Sequence, residues 1–109
     1  MKIVFMPEAL EYFNELSTLL YEKDYFGFEE SALKYVDDLV DDIRETLPNR
    51  VKRVAPPYFD RYGKKMFYCT FPKNKDTQWY VFFTIYRTGN EPLAVVRYIS
   101  NNHLIAQYL

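Results

Sequence analysis

The sequence contains few of the residue types on which much enzyme chemistry depends. Among its 109 residues are one cysteine, one histidine and three glycines. A single cysteine, Cys69, excludes an intrachain disulfide and a cysteine-based metal site. Because Cys69 lies in the apolar run from Met66 to Phe71, we expect a buried, unreactive thiol. We expect neither a metal nor a cofactor.

Long hydrophobic runs and several familiar motifs are also missing. No apolar segment approaches the roughly 18 residues that a membrane span requires, and no secretory signal segment opens the chain. No glycine-rich phosphate loop, nucleophile elbow or paired-carboxylate motif occurs, so kinases, α/β-hydrolases and glycosidases have no support. We expect one soluble, cytoplasmic domain spanning residues 1–109, without a membrane partner.

The charge that is present is divided between the two halves of the chain. Residues 1–48 carry twelve acids and four bases, a net charge of −8, whereas residues 49–109 carry three acids and ten bases, a net charge of +7. The total of −1 therefore conceals a dipolar molecule. Such asymmetry indicates a charged partner, for example a polyanion.

Aromatic residues are abundant, with eleven tyrosines, nine phenylalanines and one tryptophan. Most of them are expected to fill the core of a small domain. Tyrosines at a surface can also stack on nucleobases.

The acidic half has helical periodicity. Pro7, at a helix start, and apolar residues at helical spacing predict a helix over Pro7–Tyr21. A second apolar stripe runs from Ala32 to Leu47, opened by Glu29 and closed by Pro48. Residues Tyr25–Phe28 are predicted to form the short link of an antiparallel helical hairpin.

The basic half alternates with a period of two, which is typical of strands. Together with an N-terminal strand and a possible strand at Arg50–Val54, the pattern predicts an α+β fold. In that fold the hairpin packs on one face of a twisted, mainly antiparallel sheet and leaves the other face to water. The tail Asn101–Leu109 is predicted to be a short helix or an extended end. The main predicted strands are Lys2–Met6, Lys64–Phe71, Gln78–Tyr86 and Leu93–Ser100.

Four aspartates, Asp37, Asp38, Asp41 and Asp42, share the polar side of the second helix. A solvated face, a docking surface for a basic partner and a metal site are three interpretations of this cluster. A metal site has the least support, because no histidine or further oxygen ligand accompanies the aspartates.

The basic residues of the strands allow two interpretations, a solubilising surface or a phosphate-binding surface. Arg97 lies within an apolar strand, where a guanidinium is costly unless it points outward or is paired. The single histidine, His103, follows the last strand. It either has no chemical role or serves as a general acid or base.

The chain resembles the RelE/ParE superfamily of toxins from type II toxin–antitoxin systems. The resemblance rests on the β-α-α-β-β-β order, on the segment Tyr62–Tyr68, which opens the central strands, and on Arg97–His103, which ends them. RelE-like members are ribosome-dependent endoribonucleases that cut mRNA through its own 2′-OH, without a metal. ParE-like members share the fold and instead poison DNA gyrase.

The resemblance implies specific roles and partners. It implies a cognate antitoxin, together with mRNA on the ribosome or, alternatively, DNA gyrase. An inactive member of the superfamily is a third possibility. Residues implied in catalysis are Lys65, Arg97, His103 and Tyr108, and those implied in RNA binding are Lys52, Arg53, Arg61, Lys64 and Arg87.

Overall fold

A computed structural model describes residues 1–23 and 27–109. The order of elements is β-α-α-β-β-β-β-α, with short 3₁₀ segments between and after them, as the α+β prediction requires. The predicted link Tyr25–Phe28 lies partly outside the described residues. The elements are β1 (Lys2–Phe5), α1 (Pro7–Glu22), α2 (Glu29–Thr46), β2 (Arg53–Val54), β3 (Phe67–Pro72), β4 (Gln78–Thr88), β5 (Glu91–Asn101) and α3 (Asn102–Ile105).

The two long helices begin and end close to their predicted bounds. Pro7 occupies the first turn of α1, where its missing N–H is not needed for the helix ladder. Helix α2 continues into a 3₁₀ turn, Leu47–Asn49, because Pro48 cannot extend the α-helical hydrogen bonds. Both helices bury one apolar stripe, and α1 packs against α2 and β5.

The strands form one five-stranded sheet in the order β1-β5-β4-β3-β2. Strands β3, β4 and β5 form the predicted antiparallel meander, and β1 joins its edge parallel to β5. The pairing of β1 with β5 stops at Phe5 and Val96, although β5 continues to Asn101. Beyond Val96, no strand among the described residues covers this edge of β5.

One face of the sheet packs on the helices. The single tryptophan, Trp79, is buried there, and its indole N–H donates a 2.8 Å hydrogen bond to the Tyr35 hydroxyl of α2. Cys69 is buried in the same cluster, and burial raises the pKa of its thiol, as expected of an inert cysteine. Other members of this cluster include Phe13, Leu16, Leu39, Ile43, Phe71, Val81, Phe83 and Val96.

The prediction that the second face lies open to water is wrong. Phe82 points away from its neighbours Val81 and Phe83, and it is fully buried in a second cluster with Phe59 and Ile105. Phe59 belongs to a 3₁₀ segment, Pro57–Arg61, and Ile105 belongs to α3. These two short elements cover the middle of the face because large aromatic side chains there need burial.

The acidic surface of α2 is solvated in large part. Asp37, Asp38 and Asp41 are exposed, whereas Asp42 is half-buried and forms a 3.3 Å salt bridge with Arg50. No helix in the described ranges, residues 1–23 and 27–109, is long and apolar enough to cross a membrane.

Candidate nucleic-acid interface

A β-bulge in β5 determines the position of Arg97. Phe82 pairs with Tyr98 and Phe83 pairs with Val96, so Arg97 is an extra residue without a partner in the ladder. As a result, the side chains of Arg97 and Tyr98 both lie on the side of the sheet away from the main core, while Val96 remains in that core. Both also line a cavity at the edge of β5. The bulge thus turns a costly buried position into an accessible one for a guanidinium.

Neutral hydroxyl groups hold the Arg97 side chain. Its Nε donates to Thr84 Oγ1 at 2.9 Å, and its Nη2 donates to the Tyr86 hydroxyl at 2.7 Å. In the part of the chain that the structure describes, no carboxylate forms a salt bridge with Arg97. Because a guanidinium has five N–H donors, three remain for a ligand.

Arg61 approaches the same cavity from the 3₁₀ segment Pro57–Arg61. Its Nε donates to the Tyr58 carbonyl at 2.9 Å, and its guanidinium lies 3.8 Å from the centre of the Tyr58 ring. Tyr108 stacks on Tyr58 with a centroid separation of 3.7 Å and an interplanar angle of 5°. Two partners this close must occupy opposite faces of one ring. The fold therefore joins two predicted site residues, Arg61 and Tyr108, through Tyr58.

The turn before β3 brings Gly63 against Arg97. A Cβ placed on Gly63 would lie 2.8 Å from Arg97 Cδ, closer than packed atoms allow, and 3.0 Å from Met66 Sδ, a tight contact. Lys64 and Lys65 follow in this turn and are both exposed, and Lys65 has a left-handed φ of 55°. Strand β3 consequently begins at Phe67 rather than at the predicted Lys64.

The cavity itself has a volume of about 550 Å³ and lies between the start of α1 and the uncovered edge of β5. Arg61 and Arg97 are the two cations in its lining, and Glu8 is the one acid. Met6, Tyr12 and Leu104 contribute an apolar wall. The complete lining is Met6, Glu8, Ala9, Tyr12, Arg61, Tyr62, Arg97, Tyr98, Ile99, Ser100 and Leu104.

Two tyrosines in this lining form a second stacked pair. The rings of Tyr62 and Tyr98 have centroids 3.7 Å apart and an interplanar angle of 4°. Burial, followed by a hydrogen bond with Tyr62, raises the pKa of Tyr98 to about 12. Tyr98 is therefore a neutral phenol at physiological pH.

The imidazole of His103 lies apart from these guanidinium groups. Its Nε2 is 3.2 Å from Thr77 Oγ1, whereas Arg97 bonds Thr84, which lies seven residues further along the chain. At about 3.3 Å per residue, those two threonines are roughly 20 Å apart along the strand. His103 lines a second cavity of about 560 Å³, between α1 and the β3–β4 turn, which shares Tyr12 and Leu104 with the Arg97 cavity. Lys65, Arg97 and His103 do not form one cluster.

The asparagines before His103, Asn101 and Asn102, form hydrogen bonds that give them a structural role. The Asn101 side chain accepts a 2.9 Å bond from the His103 backbone N–H and so caps α3. The Asn102 amide accepts from the Gln78 N–H at 2.8 Å and donates to the Asp76 carbonyl at 3.0 Å. The two Asn102 bonds hold the end of β5 against the β3–β4 turn.

The other predicted RNA-binding residues do not line the Arg97 cavity. The Lys52 ammonium donates to the carbonyl oxygens of Leu47, Pro48 and Arg50 at 2.9–3.1 Å, which satisfies all three of its donors. Arg53 is exposed on the edge strand β2, and Arg87 is exposed near the β4–β5 hairpin.

Within residues 1–23 and 27–109, no group of three or more histidine, cysteine, aspartate or glutamate side chains could hold a metal ion. Comparisons of the chain with protein-family models, curated proteins and solved structures give no match in any of the three.

Proposed function

We propose that this chain is a RelE/ParE-type toxin that cleaves mRNA on the ribosome as a metal-independent endoribonuclease. The observation that carries the proposal is the pairing of Arg61 and Arg97 in one cavity, with donors left over and with Lys64 and Lys65 on the adjoining turn. Guanidinium groups bind phosphate with several parallel hydrogen bonds.

The reaction would use the nucleophile that RNA already contains. The 2′-oxygen attacks the neighbouring phosphorus as its proton leaves, the bond from phosphorus to the 5′-oxygen breaks, and that oxygen takes up a proton from water. Arg61 and Arg97 stabilise the extra negative charge on the phosphoryl oxygens as it develops. Positioning and charge stabilisation supply most of the rate, because no covalent intermediate with the protein is needed.

We propose a different proton acceptor from the histidine that the resemblance implied. Since His103 lies in a different cavity from Arg97, we assign the proton transfer to Glu8, the carboxylate in the lining of the Arg97 cavity. General-base help of this kind contributes roughly 10²–10⁴-fold. Loss of cleavage in His103→Ala with full cleavage in Glu8→Gln would reverse this assignment.

The test is induced expression in a bacterial host, followed by primer extension on cellular mRNA. Growth arrest with cuts in translated mRNA is expected for the wild type. We expect Arg97→Ala and Glu8→Gln to relieve both effects while their thermal unfolding remains cooperative. Cuts of undiminished intensity in Arg97→Ala would contradict the proposed role of the cavity.

The distance of the imidazole from the cations favours one alternative, a ParE-like toxin that binds DNA gyrase without cutting RNA. Under that alternative, induction produces a DNA-damage response while the mRNA stays intact. The same primer-extension experiment therefore separates the two activities. Absence of growth arrest from either cause would leave the inactive member as the remaining hypothesis.

A further inference from the structure

In the stacked pair of Tyr62 and Tyr98, the Tyr98 ring is packed on the protein and the Tyr62 ring is exposed. Tyr98 contacts the buried rings of Phe82 and Phe59, with centroids 5.6 Å and 6.4 Å away. Tyr62 lies parallel to Tyr98 and keeps 38% of its surface exposed. Among the described residues, Tyr62 stacks on no ring other than Tyr98. One face of the Tyr62 ring therefore has no aromatic partner.

The other stacked pair, Tyr58 and Tyr108, differs in this respect. Tyr58 carries Tyr108 on one face and the Arg61 guanidinium on the other, so both of its faces are occupied. A flat ligand can extend the stack at Tyr62 but cannot insert at Tyr58 without displacing a partner. The two pairs have the same centroid separation, 3.7 Å, but Tyr58 has a partner on each face of its ring, whereas Tyr62 stacks, among the described residues, on Tyr98 alone.

The chemistry around Tyr62 narrows the class of ligand. Its cavity of about 550 Å³ has the size of an ordinary small-ligand site. The same lining contains Arg61 and Arg97, residues whose positive charge suits an anion, and an apolar wall that suits a flat ring. A molecule that combines a planar ring with an attached anion matches this lining, and nucleotides have that composition.

We propose that Tyr62 is a stacking platform for one base of single-stranded RNA, whose adjoining phosphates bind Arg61 and Arg97. This inference rests on the proposed RNA cleavage and adds a residue to which the sequence analysis assigned no role. In the bound state, the base, Tyr62 and Tyr98 form one continuous stack that ends on the second core cluster. A stack of this kind tolerates any base, since each has a planar face.

The experiment compares two fluorescent probes by anisotropy. One is an oligoadenylate of about eight nucleotides, and the other is a ribose-phosphate oligomer of the same length without bases. For the wild type, stacking should make the oligoadenylate bind roughly five- to a hundredfold more tightly than the base-free oligomer. Tyr62→Leu should remove that preference and leave binding of the base-free oligomer unchanged.

Two further variants serve as controls. Tyr62→Phe keeps the ring and should retain the preference for the oligoadenylate. Unchanged binding of the base-free oligomer by Tyr62→Leu would show that this variant is folded. Tyr21 on α1 has a similar exposure, 42%, and lies in the acidic half. Tyr21→Leu should therefore bind both probes as the wild type does.

The outcomes separate the platform from the function on which it rests. Equal affinity of the wild type for the two probes, or an undiminished preference in Tyr62→Leu, would overturn the platform and leave RNA binding in place. Failure of the wild type to bind either probe would overturn the platform and count against the proposed nuclease as well.

Discussion

Two pairs of cations in the basic half of the chain are used in opposite ways. Arg50 and Lys52 donate their hydrogen bonds to other groups of the protein. Arg50 bonds Thr46, the Thr70 carbonyl and Asp42. Lys52 bonds three backbone carbonyl oxygens. Arg61 and Arg97 have few internal bonds and line a cavity. Cations of the same type thus serve stability in one place and are available for a ligand in another.

The largest effect is expected from Arg50. Arg50→Met removes the hydrogen bonds to Thr46 and Thr70 and the guanidinium above the Phe71 ring, 4.1 Å from its centre. The free energy of unfolding should fall by about 2–3 kcal/mol, measured by urea denaturation. Arg53→Ala on the exposed edge strand is the control, and it should change that free energy by less than about 0.5 kcal/mol.

Arg97 should show the converse behaviour. Arg97→Gln leaves two accessible hydroxyls without a partner, so the cost in unfolding free energy should stay below about 1 kcal/mol. Affinity for single-stranded RNA should fall roughly tenfold or more, because charge-assisted bonds to phosphate are lost. Fluorescence anisotropy at fixed salt measures this change. If Arg97→Gln binds RNA as tightly as the wild type does, Arg97 does not contact the ligand, and its contrast with Arg50 and Lys52 is contradicted.

Lys52 offers a direct test, because the sequence predicted that it binds RNA. Lys52→Met deprives three carbonyl oxygens of their donor and should lower the free energy of unfolding by about 1 kcal/mol. Affinity for RNA should remain within about twofold of the wild type, since the ammonium has no donor left for a phosphate. A loss of affinity as large as that of Arg97→Gln would place Lys52 in the interface.

The smallest effect should come from Gly63. In Gly63→Ala the new methyl group would lie 2.8 Å from Arg97 Cδ, so the flexible arginine side chain must shift. We expect RNA affinity to fall a few-fold and the melting temperature to change little, as measured by anisotropy and thermal unfolding. Gly27→Ala is the matched control, because a Cβ there meets no atom within 4 Å.

Periodicity predicted most of the fold, because each helix and strand buries a regular stripe of its own residues. The bounds of α1, α2 and β4 differ from their predicted bounds by at most two residues where the two can be compared. The covered second face could not be predicted in this way. It depends on Phe59 and Ile105, which come from short irregular segments far apart in the chain.

The geometry of the candidate site also could not be predicted fully from the sequence. The sequence predicts that Arg97 needs an outward orientation, and the bulge provides one, but the register shift has no local signature in the sequence. Asn101, Asn102 and His103 suggest chemistry by residue type. The Asn102 side chain bonds the backbone groups of Asp76 and Gln78, and no pattern of side chains reveals such partners.

The hydrogen bond between Trp79 and Tyr35 has a practical consequence. The indole is buried between sheet and helix, on the face opposite Arg97 and the tyrosine pair. Tryptophan emission therefore reports whether α2 is docked on the sheet. Unfolding of any variant can be followed through the emission of this one tryptophan.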